Sequence, residues 1–330
     1  MTAIRPTLKA ALDRRLAASI DSIVPVFYAD GAAPTEDLPR HVRAASAIRR
    51  FGDGLLIVQD DVNALAVVDA RGAARPILLP RGPGGRRRFD DTIGNKHDKL
   101  DLEACAALPD GRLVAFGSGA TRRRESLVVA SEGAPPRVVH APVLYAALRA
   151  QPAFAGRDLN VEGALVSGGE LLLFQRATGP ARAGGTADRG ASVSAIGSLP
   201  LDAFLAWLDE AGPAPDLSSV TAVDLGEVEG KAFGFTDAAL LADGRIAVLA
   251  CAEDAPDAVS DGPVLGCRFG LIDGVEIRLT EIIGPDGRPS TLKLEGIEPR
   301  EGKAGEFDVV ADPDRTDQPA VLARLRVREG

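Results

Sequence analysis

Four carboxylates stand at the same place in a repeated phrase: an acid, a small residue, an apolar run and a glycine turn. They are Glu103 in DLEACAALPDG, Glu162 in NVEGALVSGG, Asp237 in FTDAALLADG and Glu295 in the looser KLEGIEPREG. The intervals between them are 59, 75 and 58 residues, and Ser46 in AASAI takes the same position 57 residues before Glu103. Asp101 and Asn160 lie two residues ahead of Glu103 and Glu162, so period-two alternation puts each pair on one side of an extended strand. Carboxylates gathered at one axis repel each other unless protons, donors or a cation intervene. Calcium accepts roughly six to eight oxygen ligands in irregular geometry, so it suits such a ring. Glu103, Glu162, Asp237, Glu295 and Asn160 are therefore the expected metal ligands. The three cysteines lack metal-ligand spacing and the three histidines do not cluster, which speaks against zinc. The other reading is a water-filled channel whose carboxylates accept hydrogen bonds from backbone amides at neighbouring strand starts.

Basic residues converge on the same mouth. The loop from Arg81 to Asp101 carries Arg86, Arg87, Arg88, Lys96, His97 and Lys99; ATRRRES adds Arg122 to Arg124, and Arg176 closes a strand of the third repeat. Above an acidic ring, such cations would orient an anionic ligand. Ser46, Asp61, Lys99, Arg122 and Arg176 are the expected substrate-binding residues. His97 and Asp101 are the expected acceptors of a proton from an attacking water. The alternative is that the arginines only balance the carboxylates. FGSGA is followed by no helix, so it does not read as a phosphate-cradling loop, and no GxSxG serine elbow is present.

The elements that position these residues are short apolar strands divided by glycine turns. A period above about 40 residues with four strands per unit predicts propeller blades. The blades are expected at 43–80, 102–142, 160–228, 233–287 and 292–330, the last completed by a strand at 22–30 that closes the ring. The count is five, with six as the alternative. LDAFLAWLDEAG has helical spacing and accounts for the long third interval; VLYAALRAQ predicts a second small helix. The Gly- and Ala-rich stretch 176–191 reads as flexible, and the three cysteines read as buried free thiols.

At 330 residues and 45% hydrophobic, the chain has enough apolar mass for one large all-β domain spanning 1–330. A net charge of −9 excludes the basic footprint of a nucleic-acid binder. No signal-peptide pattern and no run of about 18 apolar residues occurs, which predicts a cytoplasmic protein without a membrane partner. The sequence carries no signal for an oligomeric state.

The chain resembles an uncharacterised family of bacterial propeller proteins. The likeness runs through SAI (46–48), IVQDD (57–61), KLDLEA (99–104), FGSG (116–119), NVEGA (160–164), LLLFQR (171–176), GFTDA (234–238), LEGIE (294–298) and VADPDRTDQPAVLARLRV, from about residue 40 onward. The acid-small pairs are also distantly similar to phytase-like, or esterase-like, propellers. That resemblance implies calcium in the channel and phosphoester hydrolysis. The chain departs from the multi-calcium pattern in having one carboxylate per blade and Ser46 in the first. Together these features predict a calcium-dependent hydrolase of a small anionic ester, a phosphoester or a lactone. A non-catalytic ligand- or protein-binding propeller with a structural carboxylate ring is the competing expectation.

Overall fold

The computed structural model describes residues 2–69, 71–177, 194–255 and 262–330. Most of the stretch expected to be flexible, 178–191, lies outside the described residues. The chain folds into antiparallel sheets, each a succession of hairpins. The first runs Ala45–Phe51, Gly54–Gln59, Ala64–Val68, Ala73–Leu78. The second runs Leu102–Ala107, Leu113–Gly117, Ser126–Ala130, Arg137–His140, and the third Val161–Ser167, Glu170–Gln175, Ser194–Pro200, Ser219–Asp224. A longer sheet contains Gly234–Leu240, Ile246–Glu253, Val264–Asp273 and Glu276–Ile283, then Leu16–Pro25, Val321–Glu329, Glu306–Asp312 and Lys293–Pro299. Its two halves join only where Ile282 and Ile283 pair in parallel with Ala18 and Ser19.

The turns explain why hairpins form here. At Gly111 and Gly244, φ is 86° and 88°, a conformation that glycine adopts without steric cost. The preceding Asp110 and Asp243 accept the backbone amides of Arg112 and Arg245, which closes each turn. The first strands, Ala45–Phe51, Leu102–Ala107, Val161–Ser167, Gly234–Leu240 and Lys293–Pro299, pack one against the next, and the last packs against the first. They are nearly all buried, while apolar residues of neighbouring sheets interdigitate behind them.

The N-terminal closing strand differs from expectation in its bounds. Leu16–Pro25 pairs antiparallel with Val321–Glu329, ahead of the predicted 22–30. Leu16, Ala18 and Ile20 supply the buried alternate face, and Phe27–Tyr28 crosses to the edge of the first sheet. Ala3–Lys9 and Ala11–Leu12 add parallel edge strands to the third and fourth repeats. Their exposed, charge-interrupted sequences gave no strand signal.

The helices Pro142–Arg149 and Leu201–Leu208 confirm the two helical expectations. They bury Leu144, Tyr145, Leu148, Leu201, Phe204 and Leu208 against the second and third sheets. Cys105 is a buried free thiol, but Cys251 and Cys267 form a disulfide because their strands place them directly opposite each other. No described helix is long and apolar enough to cross a membrane.

Candidate metal centre at the acidic mouth

Every one of the five first strands breaks its pairing once, near its start. The irregularities fall between Ala45 and Ala47, Leu102 and Ala104, Val161 and Gly163, Phe235 and Asp237, and Leu294 and Gly296. The residues left over are Ser46, Glu103, Glu162, Thr236 and Glu295. A bulge re-aims one side chain and strengthens the local twist, so these five occupy the repeat position. Thr236, not Asp237, holds it in the fourth repeat. The two hydroxyl positions behave alike: Ser46 Oγ donates to the Leu102 carbonyl at 2.6 Å and Thr236 Oγ1 to the Leu294 carbonyl at 2.7 Å. Each ties its strand to the next sheet. The three glutamates instead bring charge to the axis.

Around Glu103, Lys99 Nζ lies 2.5 Å from Asp60 Oδ1 and 2.6 Å from Asp101 Oδ1. Arg124 Nη1 stands 2.9 Å from Asp101 Oδ2, to which Ser118 Oγ also donates. Carboxylate oxygens of Asp60, Asp101 and Glu103 all lie within 4.8 Å of one another. Glu103 itself makes no hydrogen bond or ion pair with any described residue. Burial, then Asp60, Asp101 and Glu162, pushes its carboxyl well above the usual range. For Asp101 burial acts in the same sense, but Lys99 and Arg124 outweigh it and hold the group below its usual value. Beside them, Arg43 bonds Asp61 and lies 3.4 Å from Asp90. Burial nevertheless raises Asp61 to about 6 against the pull of Arg43.

The other half of the mouth is built around Arg176 and Lys293. Arg176 reaches Glu253 at 2.6 Å, Glu162 at 3.3 Å and Glu295 at 3.7 Å. Lys293 reaches Asp314 at 3.0 Å, Glu295 at 3.3 Å and Glu253 at 3.7 Å. Asn160 Nδ2 donates to Glu162 at 2.6 Å, whereas its buried Oδ1 has no partner. Burial raises Glu162, and raises Glu295 and Asp312 strongly, more than the nearby cations lower them. Counting Asp312, ten carboxylates among the described residues of the mouth face the five cations Arg43, Lys99, Arg124, Arg176 and Lys293, with Lys96 and Arg315 at the rim paired to Asp91 and Asp317. A buried cluster this unbalanced holds protons or attracts a further cation. A cavity of about 360 Å³ opens beside it, lined in part by Arg43, Asp60, Asp61, Asp90, Lys99 and Asp312.

A sequence model of one protein family matches residues 41–327, a span that includes all five bulged strands. The chain belongs to this family of unknown function, DUF6929. No curated protein matches the sequence. Among solved structures, the chain is similar to glutaminyl cyclase from Myxococcus xanthus, at 13% identity over 97% of this chain and 99% of that one, with a TM-score of 0.45. It is similar to a gluconolactonase from Xanthomonas campestris at 10% identity, over 94% and 97% of the two chains, with a TM-score of 0.44. A GH43 β-1,3-galactosidase aligns at 8% identity over 91% of this chain and 58% of that one, with a TM-score of 0.51. These likenesses concern the fold alone, which is an all-β propeller.

Within this DUF6929 chain, the expected site residues divide into four groups, with Asp237 as the last. Asp61, Lys99, Asp101, Glu103, Asn160, Glu162, Arg176 and Glu295 meet at the mouth. Ser46 reaches the axis but spends its hydroxyl on the Leu102 carbonyl. His97 and Arg122 stay outside: the His97 side chain is 66% exposed and lies 3.5 Å from Asp98, and Arg122 is exposed without a described partner.

Asp237 lies apart from the glutamates. Arg49 Nη1 donates to Asp237 Oδ2 at 2.8 Å and Nη2 to Oδ1 at 2.7 Å. The same guanidinium donates to the carbonyls of Ile48, Ala164, Ala238 and Ile297, and the Ile297 amide donates to Asp237. Arg49 thus spans the ring from the first repeat to the third, fourth and fifth. It closes the axis beneath the mouth, so the structure has a plug where a through-channel was one expectation.

Several mouth residues lie outside the expected site set: Asp60, Ser118, Glu253, Lys293 and Asp312, while Arg124 is expected only as one of the basic residues converging there. Asp60, Ser118, Arg176, Glu253 and Asp312 sit where the second strand of each repeat ends, beside the start of the first strand in the antiparallel hairpin. The signal is a polar residue after each apolar run, in IVQD, AFGS, LLFQR, LACAE and VVAD.

Proposed function

We propose that the chain is a single-domain, five-bladed propeller whose acidic mouth binds a divalent cation, calcium by donor type, and that it hydrolyses a small ester there. Five bulged strands packed in cyclic succession support the blade count. The unpartnered Glu103 carboxyl, next to Asp60 and Asp101, is the observation that carries the metal reading. The donors are all oxygens, and the orphaned Asn160 Oδ1 adds a neutral one, a set that suits a hard cation. Glu162 and Glu295 already face Arg176 and Lys293, so they shape the field around the ion more than they ligate it.

A bound cation supplies Lewis acidity toward a carbonyl or phosphoryl oxygen and lowers the pKa of a coordinated water. The chain's own contribution is orientation. Arg124 and Ser118 fix Asp101, and Lys99 partly neutralises the carboxylates that face the cavity. Because Lys99 contacts two of the three carboxylates, an entering ion shares or displaces it. Arg122, exposed outside the mouth with its charge unspent, is a candidate partner only for an anionic group that projects beyond the mouth. Arg176 and Lys99 are too fully engaged for that role.

Titration of calcium into chelator-treated protein by calorimetry tests this reading, alongside lactone, carboxylester and phosphoester substrates with and without chelator. Saturable binding weakened about tenfold in Glu103→Gln, together with turnover abolished by chelation, is expected. Turnover that survives complete chelation would exclude metal-dependent hydrolysis. Absence of both binding and turnover would leave the competing assignment, a propeller whose carboxylates serve structure and surface recognition.

A further inference from the structure

The first strands enter at the acidic mouth and leave on the opposite face at Ala107, Val166, Leu240 and Pro299. There a cavity of about 1010 Å³ lies beneath the Arg49–Asp237 plug. Its walls include Leu240, Leu241, Phe269, Leu271, Phe307 and Val327. The volume and mostly apolar lining match those of small-molecule pockets.

The charges lining it are unequal in their bonding. Arg49 is saturated by Asp237 and backbone carbonyls. Arg245 is held by Asp243 at 2.7 Å and Glu329 at 2.8 Å, and Arg300 by Asp308 at 3.2 Å. Glu298 has no described cation within ion-pair distance, and accepts only the Arg50 backbone amide. Near it, Glu306 Oε2 has no hydrogen-bond partner but lies 3.9 Å from Arg300 and from Lys303, and its Oε1 lies 3.7 Å from Arg326. Arg49, Arg245 and Arg300 are therefore committed and Lys303 faces Glu306, while Glu298 is left against an apolar wall without an ion-pair partner among the described residues. An anion would have to draw Lys303 away from Glu306. A neutral hydrocarbon would leave Glu298 without a partner.

We propose that this cavity binds a small organic cation, an ammonium group carried on an apolar body, with Glu298 as its counter-ion. The apolar walls desolvate the body, and the carboxylate fixes the charged end. The site is separated from the acidic mouth by the plug and does not depend on a metal.

The test is calorimetric titration of chelator-treated protein with 4-phenylbutylammonium, 4-phenylbutanol and 4-phenylbutyrate. The ammonium should bind saturably, about tenfold or more tightly than the alcohol, as expected for a charge-assisted hydrogen bond. Glu298→Gln should erase that preference, and Glu298→Lys should transfer it to the carboxylate. Glu103→Gln, at the mouth, should leave the affinity unchanged. The proposal is overturned if the ammonium fails to bind at millimolar concentration, if alcohol and ammonium bind alike, or if Glu103→Gln abolishes binding. A folded Glu298→Gln protein, judged by an unaltered circular dichroism spectrum, that retains full affinity would also overturn it.

Discussion

Two groups of buried charge lie along one axis and obey opposite rules. In the plug, one guanidinium faces one carboxylate, and the remaining donors of Arg49 go to four backbone carbonyls. At the mouth, carboxylates outnumber cations and Glu103 has no partner among the described residues. Matched buried charge fixes geometry, because neither partner can leave without stranding the other. Unmatched charge costs stability unless something else arrives. Residues perturbed by burial and like charge in a cleft are therefore the better guide to a working site.

Breaking the plug should give the largest effect. Arg49→Met strands Asp237 in an apolar interior and should cost about 3–5 kcal/mol in chemical denaturation. Asp237→Leu added to it should recover much of that loss, whereas a mouth residue would show no such rescue. Calcium at about a hundredfold over its dissociation constant should stabilise the protein by about 2.7 kcal/mol, read as a rise in melting temperature that chelation reverses. An unchanged melting temperature would make the mouth as structural as the plug.

Glu103→Gln should sharpen the contrast further. It removes a repelling charge, so the metal-free protein should be at least as stable as the parent. Calcium affinity should fall about tenfold, the loss expected from one charged ligand contact. If stability drops instead, Glu103 has a structural partner.

A smaller effect concerns pH. Asp61, raised to about 6 chiefly by burial, binds its proton more tightly when folded than when unfolded. Its contribution is therefore fully present below about pH 4, the unfolded value, and is lost as pH rises through 6. The stability difference between parent and Asp61→Asn should decline across that window in chelated protein. A difference that grows with pH would give the opposite sign to the shift. Smallest of all, Ser46→Ala should cost about 1 kcal/mol for the lost bond to Leu102, without changing calcium affinity.

The repeat was legible because strand length, Asp-Gly turns and apolar alternation are local properties. The mouth was legible in outline for the same reason: Glu103, Glu162 and Glu295 recur beside small residues. FTDA defeated the fourth assignment because Asp237, the acid before the small Ala238, fits the phrase, and only the pairing register shows that Thr236 is the residue that bulges. Asp60, Glu253 and Asp312 carried a weaker signal, since a polar residue after an apolar strand usually marks only its end. Arg49 carried none. Its role depends on carbonyls from three other repeats, a convergence that no local pattern records. The disulfide likewise required cross-strand register between Cys251 and Cys267.

The half of the longer sheet that holds Lys293–Pro299 joins distant parts of the sequence: Leu16–Pro25 pairs with Val321–Glu329, and the Gly330 amide donates to the Arg15 carbonyl at 2.8 Å. During synthesis Leu16–Pro25 must therefore wait for Val321–Glu329 to emerge before it finds that partner. Lys293, Glu295 and Asp312 of the mouth belong to that same late sheet. The earlier repeats can form as the chain lengthens, but closing the ring and completing the mouth become one event, which waits for Val321–Glu329.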